Sequence, residues 1–262
     1  MTGQDQGATT LSAARSIDDP GTVTLWRSVG QDELDAVASS GWCAWPSRLP
    51  DQPIFSCVPD RHLAVRTCRE RTVLAEGVGY VVHFDVPRRF LDRFEVVQGA
   101  RRDEVEYRIS ASEVAELNAH VIGAIMEEAD YRGPVADAEF ADAERALDRP
   151  LPRAWRGYLQ GESWFRRGWL TSESYVWLNT PREMLELHEA WDEATEAHPG
   201  IAIIGGNGSR EQLVLDLRED PAPVLLLDIT SAGWETGIRQ AGDVSQLIDR
   251  IESGEFRYSF DE

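Results

Sequence analysis

Three short apolar runs stand close together late in the chain, at residues 201–204 (IAII), 213–217 (LVLDL) and 224–229 (VLLLDI). Each is bounded by turn-forming residues and too short for a helix, which is the pattern of buried strands. The first two are separated by Gly205-Gly206-Asn207-Gly208-Ser209-Arg210-Glu211. Glycine and asparagine there permit positive φ and a tight reversal. The second and third are separated by a segment in which Pro221 and Pro223 exclude a helix. The pattern predicts a strand–turn–strand–turn–strand meander at the centre of a sheet.

Upstream, the apolar period alternates between that of strands and that of helices. Residues 1–21 are small and polar and read as a disordered leader. A strand is expected at 23–28, then a helix at 31–40, with Ser28 and Gln31 as a capping box and Gly41 as its stop. A short strand at 54–58 precedes a helix from Asp60 to about Thr72, and YVVHFDV at 80–86 alternates as a strand. Pro87 opens a helical turn with Phe90 and Leu91 inward, followed by strands at 94–97 and 104–109. Ser110 and Glu113 form a capping box for a helix carrying Val114, Leu117 and Val121, while 121–126 fits either helix or edge strand.

Tyr131-Arg132-Gly133-Pro134 reads as a linker. Beyond it, helices are expected at 137–147, after Pro152, and from Thr180-Pro181-Arg182-Glu183 to about Ala197. Strand material lies at 169–178, broken by a polar turn at 171–174. After the meander come a short strand at 235–239 and a final helix capped by Asp243, with Val244, Leu247, Ile248 and Ile251 inward. The expected fold class is therefore α+β in two domains. Residues 22–132 form a small mixed α/β module, and 137–257 an antiparallel sheet flanked by helices.

Composition narrows the function classes. Apolar residues make up 42% of the 262 and aromatics 9%, as in a globular protein. The formal net charge is −20, with 21 carboxylates against 14 arginines before residue 137 and 25 against 12 from there on. Such a surface repels nucleic acid and anionic membranes and steers basic partners. Cys43, Cys57 and Cys68 have neither disulfide nor metal-ligand spacing. No apolar run reaches the length of a membrane span and no signal peptide is visible, so a cytoplasmic protein without a bound metal is expected. The glycine loop lacks the G-x-x-x-x-G-K-[ST] pattern of a phosphate cradle, and reads as a turn with Arg210 and Glu211 paired at its exit.

The order of elements from Asp137 to Phe256 carries a resemblance. It comprises the helix with Glu144, then Leu147-Asp148-Arg149-Pro150-Leu151-Pro152, the aromatic helix with Trp155, the strand ending in IGGNGSRE, the LVLDLR strand, and Gly233-Trp234 before the closing helix. Together these resemble the SUKH superfamily, the Smi–Knr domain. The resemblance implies a protein-binding module, in bacteria often an immunity protein that neutralises a toxin of a polymorphic or contact-dependent system. With the acidity of this half, the implied partner is a basic toxin and no cofactor is needed. Partner contacts are expected at Arg210, Glu211, Glu219, Asp220 and Trp234, since tryptophan and arginine are enriched in binding hot spots.

The N-terminal half offers a second class. Arg27 on the first strand, Ser56 on the next and Glu104-Val105-Glu106 opening a late strand resemble the arginine–serine–glutamate class of mono-ADP-ribosyltransferases. That resemblance implies NAD as cofactor, with Arg27 on its phosphates, Ser56 steadying the site, and Glu104 and Glu106 at the ribosyl cation. The family's Ser-Thr-Ser element is absent, and the region is small for that fold. The first reading is therefore preferred and the enzyme kept as the alternative.

Overall fold

The computed structural model describes residues 21–47, 53–98, 104–170 and 174–260; all but the last residue of the leader expected at 1–21, and of the turn expected at 171–174, lies outside the described residues. The chain runs β1 (Thr22–Val29), α1 (Gln31–Ser39), β2 (Ile54–Cys57), α2 (Arg61–Thr67), a π-helical turn at Cys68–Thr72, α3 (Val73–Glu76), β3 (Val78–Pro87), α4 (Arg88–Leu91), β4 (Glu95–Gln98) and β5 (Val105–Ser110). It continues with α5 (Val114–Asn118), β6 (Ile122–Arg132), α6 (Asp137–Leu147), α7 (Arg153–Leu159), β7 (Trp164–Trp169), β8 (Tyr175–Leu178), α8 (Pro181–Ala190) and α9 (Asp192–Ala197). The meander β9 (Ile201–Gly206), β10 (Glu211–Asp216) and β11 (Val224–Asp228) is followed by β12 (Ile238–Ala241) and α10 (Val244–Glu252).

The fold is α+β, built on one nine-stranded antiparallel sheet of order β1-β3-β6-β7-β8-β9-β10-β11-β12. A three-stranded sheet, β2-β5-β4, joins it through paired backbone hydrogen bonds between Trp26 and Val58. The large sheet crosses the expected boundary without interruption. Tyr131 and Arg132, read from sequence as linker, are ladder residues of β6 opposite Phe165 and Trp164 of β7. Gly133 donates to the Gly77 carbonyl, and its own carbonyl accepts from Trp164 Nε1 at 2.7 Å.

Alternation along β3 shows where the cores sit. Val81 belongs to one cluster, with Phe140 and Ala143 of α6, Trp155 and Leu159 of α7, the meander, and Leu247 and Ile251 of α10. Tyr80, Val82 and Phe84 belong to the other, with Leu34 and Val37 of α1, Phe90 and Leu91 of α4, and Val114 and Leu117 of α5. Successive side chains of a strand point to opposite faces, so β3 is buried on both and lies between the two layers.

Several elements depart from the sequence pattern for identifiable reasons. Helix α1 starts at Gly30 without a side-chain cap; Ser28 instead shares a 2.7 Å hydrogen bond with Thr72 Oγ1. The undecided segment at 121–126 opens β6, a strand inside the sheet. The helix expected at 180–197 is broken at Trp191, whose φ/ψ of −125°/50° lies outside the helical region. The strand expected at 235–239 is a short 3₁₀ turn, Trp234–Thr236, before β12. The capping boxes at Ser110/Glu113 and Thr180/Glu183 both form, and Asp243 caps α10 by accepting from Gln246 N. Gly205 is needed for close approach: a Cβ there would stand 2.2 Å from the Trp177 carbonyl oxygen.

Candidate functional site

Arg27, Ser56 and Glu106 meet on neighbouring strands. The Trp26–Val58 bridge draws the end of β2 against β1, and the antiparallel register of β2 with β5 sets Ser56 opposite Arg108. Glu106 is two residues from Arg108 and so on the same face. Ser56 Oγ donates to Glu106 Oε1 at 2.8 Å, and Arg108 Nε approaches the same oxygen at 3.2 Å. Arg27 Nη1 donates to the Ser56 carbonyl at 2.5 Å. Its Nε and Nη2 grip the two oxygens of Glu33 at 3.1 and 3.0 Å, and its guanidinium stacks 4.5 Å from the centre of the Phe55 ring.

This arrangement ties α1 to β2. The Arg27 side chain is 10% exposed, and three of its N–H groups are committed to protein acceptors. Beneath it, burial pushes the Cys57 thiol up to about 12 against the pull of Arg27, so it is no nucleophile at neutral pH. Glu104 does not join the group. It pairs with Arg66, which reaches it from α2.

The five residues expected to contact a partner fall into separate places. Arg210 and Glu211 stand at the start of β10, Glu219 and Asp220 beyond its end, and β10 itself is about 17 Å long at the usual rise per residue. Arg210 is 78% exposed and reaches Asp228 at 4.0 Å, rather than the Glu211 neighbour that the sequence suggested. Glu211 accepts from Asn207 Nδ2 at 2.7 Å. Glu219 and Asp220 are exposed. Trp234 is half-buried, with the Arg218 guanidinium 4.7 Å above its ring and His198 edge-on at 5.4 Å. Asp216 fixes that arginine by two hydrogen bonds, at 2.8 and 2.6 Å.

A feature that sequence reasoning passed over is the outer surface of α8 and α9. Glu186, Glu189, Asp192, Glu193 and Glu196 are all exposed, and no arginine occurs between Arg182 and Arg210. Glu186 is 3.9 Å from Arg182; the other four have no ion-pair partner among the described residues. His188 brings no compensating charge, because burial lowers its pKa to about 4. Trp191, packed against the large core, anchors the junction of the two helices. The signal was present in sequence as a carboxylate run; its exposure became clear only once the two helices were placed.

Among the described residues, no group of His, Cys, Asp and Glu has the geometry to hold a metal ion. No helix there is long and apolar enough to cross a membrane. Compared with protein-family models and with curated proteins, the chain matches none.

Proposed function

We propose that this protein is a cytoplasmic binding module of the immunity or adaptor type, which neutralises a basic toxin by occluding it. The observation that carries this reading is the row of unpaired carboxylates on α8 and α9, Glu189, Asp192, Glu193 and Glu196. Exposed like charges on one short helical segment repel one another, and that repulsion is relieved when a partner brings cations. The resemblance of residues 137–256 to SUKH domains supports the same class. Capture on the immobilised protein from cells of its own source, followed by mass spectrometry, tests it. A specific basic protein should be retained; retention of acidic or neutral proteins alone would overturn the reading.

A second reading rests on Arg27 donating to the Ser56 carbonyl and Ser56 Oγ to Glu106, the three residues that the ADP-ribosyltransferase resemblance names. Against it, Arg27 would have to release Glu33 before it could meet the phosphates of NAD. The expected outcome with labelled NAD and candidate acceptor proteins is no transfer. Label transfer that disappears in Glu106→Gln would make the protein an enzyme.

A further inference from the structure

A cleft of about 640 Å³ opens where β6 and β7 meet α6 and the start of α8. Arg132, Arg166 and Arg167 all line it. Each is held from behind. Asp130, whose side chain is 1% exposed, accepts from Arg132 Nη2 at 2.9 Å and lies 2.9 Å from its Nε and 3.3 Å from Arg167 Nε. Arg167 Nη2 also donates to Glu127 at 3.2 Å. Arg166 donates to Glu183 at 2.7 Å and to the Leu178 carbonyl. Glu183 is itself fixed, accepting from the Thr180 backbone N–H at 2.7 Å.

What remains unused in the cleft is mostly donor. Arg132 Nη1, Arg166 Nε and Arg167 Nη1 have no acceptor among the described residues. The side chains of Arg132, Arg166 and Arg167 are 34%, 18% and 43% exposed. Three guanidinium groups line one cleft, two of them on the buried Asp130 and the third on Glu183. Guanidinium groups already oriented by carboxylates lose little freedom on meeting a planar or tetrahedral oxyanion, and bind it with paired N–H donors. Buried atoms without a hydrogen-bond partner are left in the same lining too: Glu139 Oε2, Asp130 Oδ1, which has Arg132 Nε at 2.9 Å, and Arg167 Nε, 3.3 Å from Asp130 Oδ2.

We propose that this cleft binds a small molecule with a phosphate or carboxylate group, shared by Arg132, Arg166 and Arg167, and with a hydrogen-bond donor that meets Glu139. The buried Asp130 acts as the positioning residue for two of the three arginines. None of the exposed α8–α9 carboxylates lines this cleft, and binding there does not depend on a protein partner.

The test is calorimetric titration of the full chain, in a low-salt buffer free of phosphate, with inorganic phosphate, phosphoethanolamine and β-alanine. The last two carry an ammonium donor on a phosphate and on a carboxylate, and so distinguish the two oxyanions. Phosphoethanolamine or β-alanine should bind, and phosphoethanolamine should bind about tenfold more tightly than inorganic phosphate, from one added charge-assisted contact. Arg166→Gln and Arg167→Gln should each weaken binding about tenfold or more. Glu139→Gln should remove the preference for phosphoethanolamine while inorganic phosphate still binds, which also shows that the variant is folded. In the wild type, ligand should slow amide exchange in β7 and the end of β6, a readout that no substitution can compromise. Absence of binding by all three probes at millimolar concentration would overturn the proposal, as would binding indifferent to both arginine substitutions.

Discussion

Replacing Asp130 with asparagine isolates the cost of holding a carboxylate inside the sheet. Burial pushes this group from its ordinary 3.8 up to about 6, against the pull of Arg132, Arg167 and Arg166. A rise of that size corresponds to about 3 kcal/mol between the protonated and ionised forms. Between those two pH values the folded protein holds a proton that the unfolded chain has released. Stability therefore falls as pH rises through the window and is highest below it. Asparagine cannot titrate, so the stability of the wild type relative to Asp130→Asn should drop by about 2 kcal/mol from pH 4 to pH 7. The two arginines deprived of their partner are 34% and 43% exposed and can return to water, and Arg167 keeps Glu127. Urea unfolding followed by tryptophan fluorescence at several pH values measures the difference directly. A difference that stays constant with pH would refute the reasoning. A wild type that gains on the variant as pH rises would show that the arginines dominate burial.

Three further outcomes follow from the same structure. Trp155 is 1% exposed and Trp169 41%, so Trp155→Ala should cost about 3–5 kcal/mol in urea unfolding, while Trp169→Ala should stay within about 1 kcal/mol of wild type. Because one ladder runs from β1 to β12 across residues 132–164, circular dichroism and tryptophan fluorescence should report a single coincident unfolding transition; two separated transitions would show that the halves are independent units. Thr180 accepts from Glu183 N in the cap of α8, and Thr180→Ala should cost about 1 kcal/mol, read as a shift of the urea midpoint without change of slope.

The meander was legible because β9, β10 and β11 hold apolar runs between turn residues, with Glu211, Gln212, Asp216 and Asp228 at the strand ends. The capped helices were legible for the same local reason: Ser110, Thr180 and Asp243 act on backbone groups only three residues away. Strands β6 and β7 were not, because charged residues stand among the apolar ones along both. Glu127, Glu128 and Asp130 on β6 are neutralised by Arg167, Arg61 and Arg132. Register shifts at Val81/Val82 and Asp130/Tyr131 break the period of two as well. Those long-range ion pairs carry the sheet through the segment that composition marks as a junction. The approach of Ser56 to Glu106 could be anticipated from strand alternation. The engagement of Arg27 by Glu33 could not, since it depends on how α1 turns back onto β1. Partner contacts were expected at Arg210, Glu211, Glu219, Asp220 and Trp234; the carboxylate row on α8 and α9 was passed over, because the helical period did not reveal the break at Trp191.

On the proposed function, the α8–α9 carboxylates draw a basic partner onto the protein. Charge complementarity acts chiefly on the association rate and is screened over a Debye length of about 8 Å at physiological salt. The decisive measurement is the association rate with the captured partner at low and high salt, for three proteins. These are the wild type, a variant with Glu189, Asp192, Glu193 and Glu196 changed to their amides, and one with Glu219 and Asp220 so changed. The fourfold variant should associate about tenfold more slowly at low salt and lose most of its salt dependence, with folding unchanged, while the twofold variant should stay near wild type. Equal rates for wild type and fourfold variant, insensitive to salt, would contradict it.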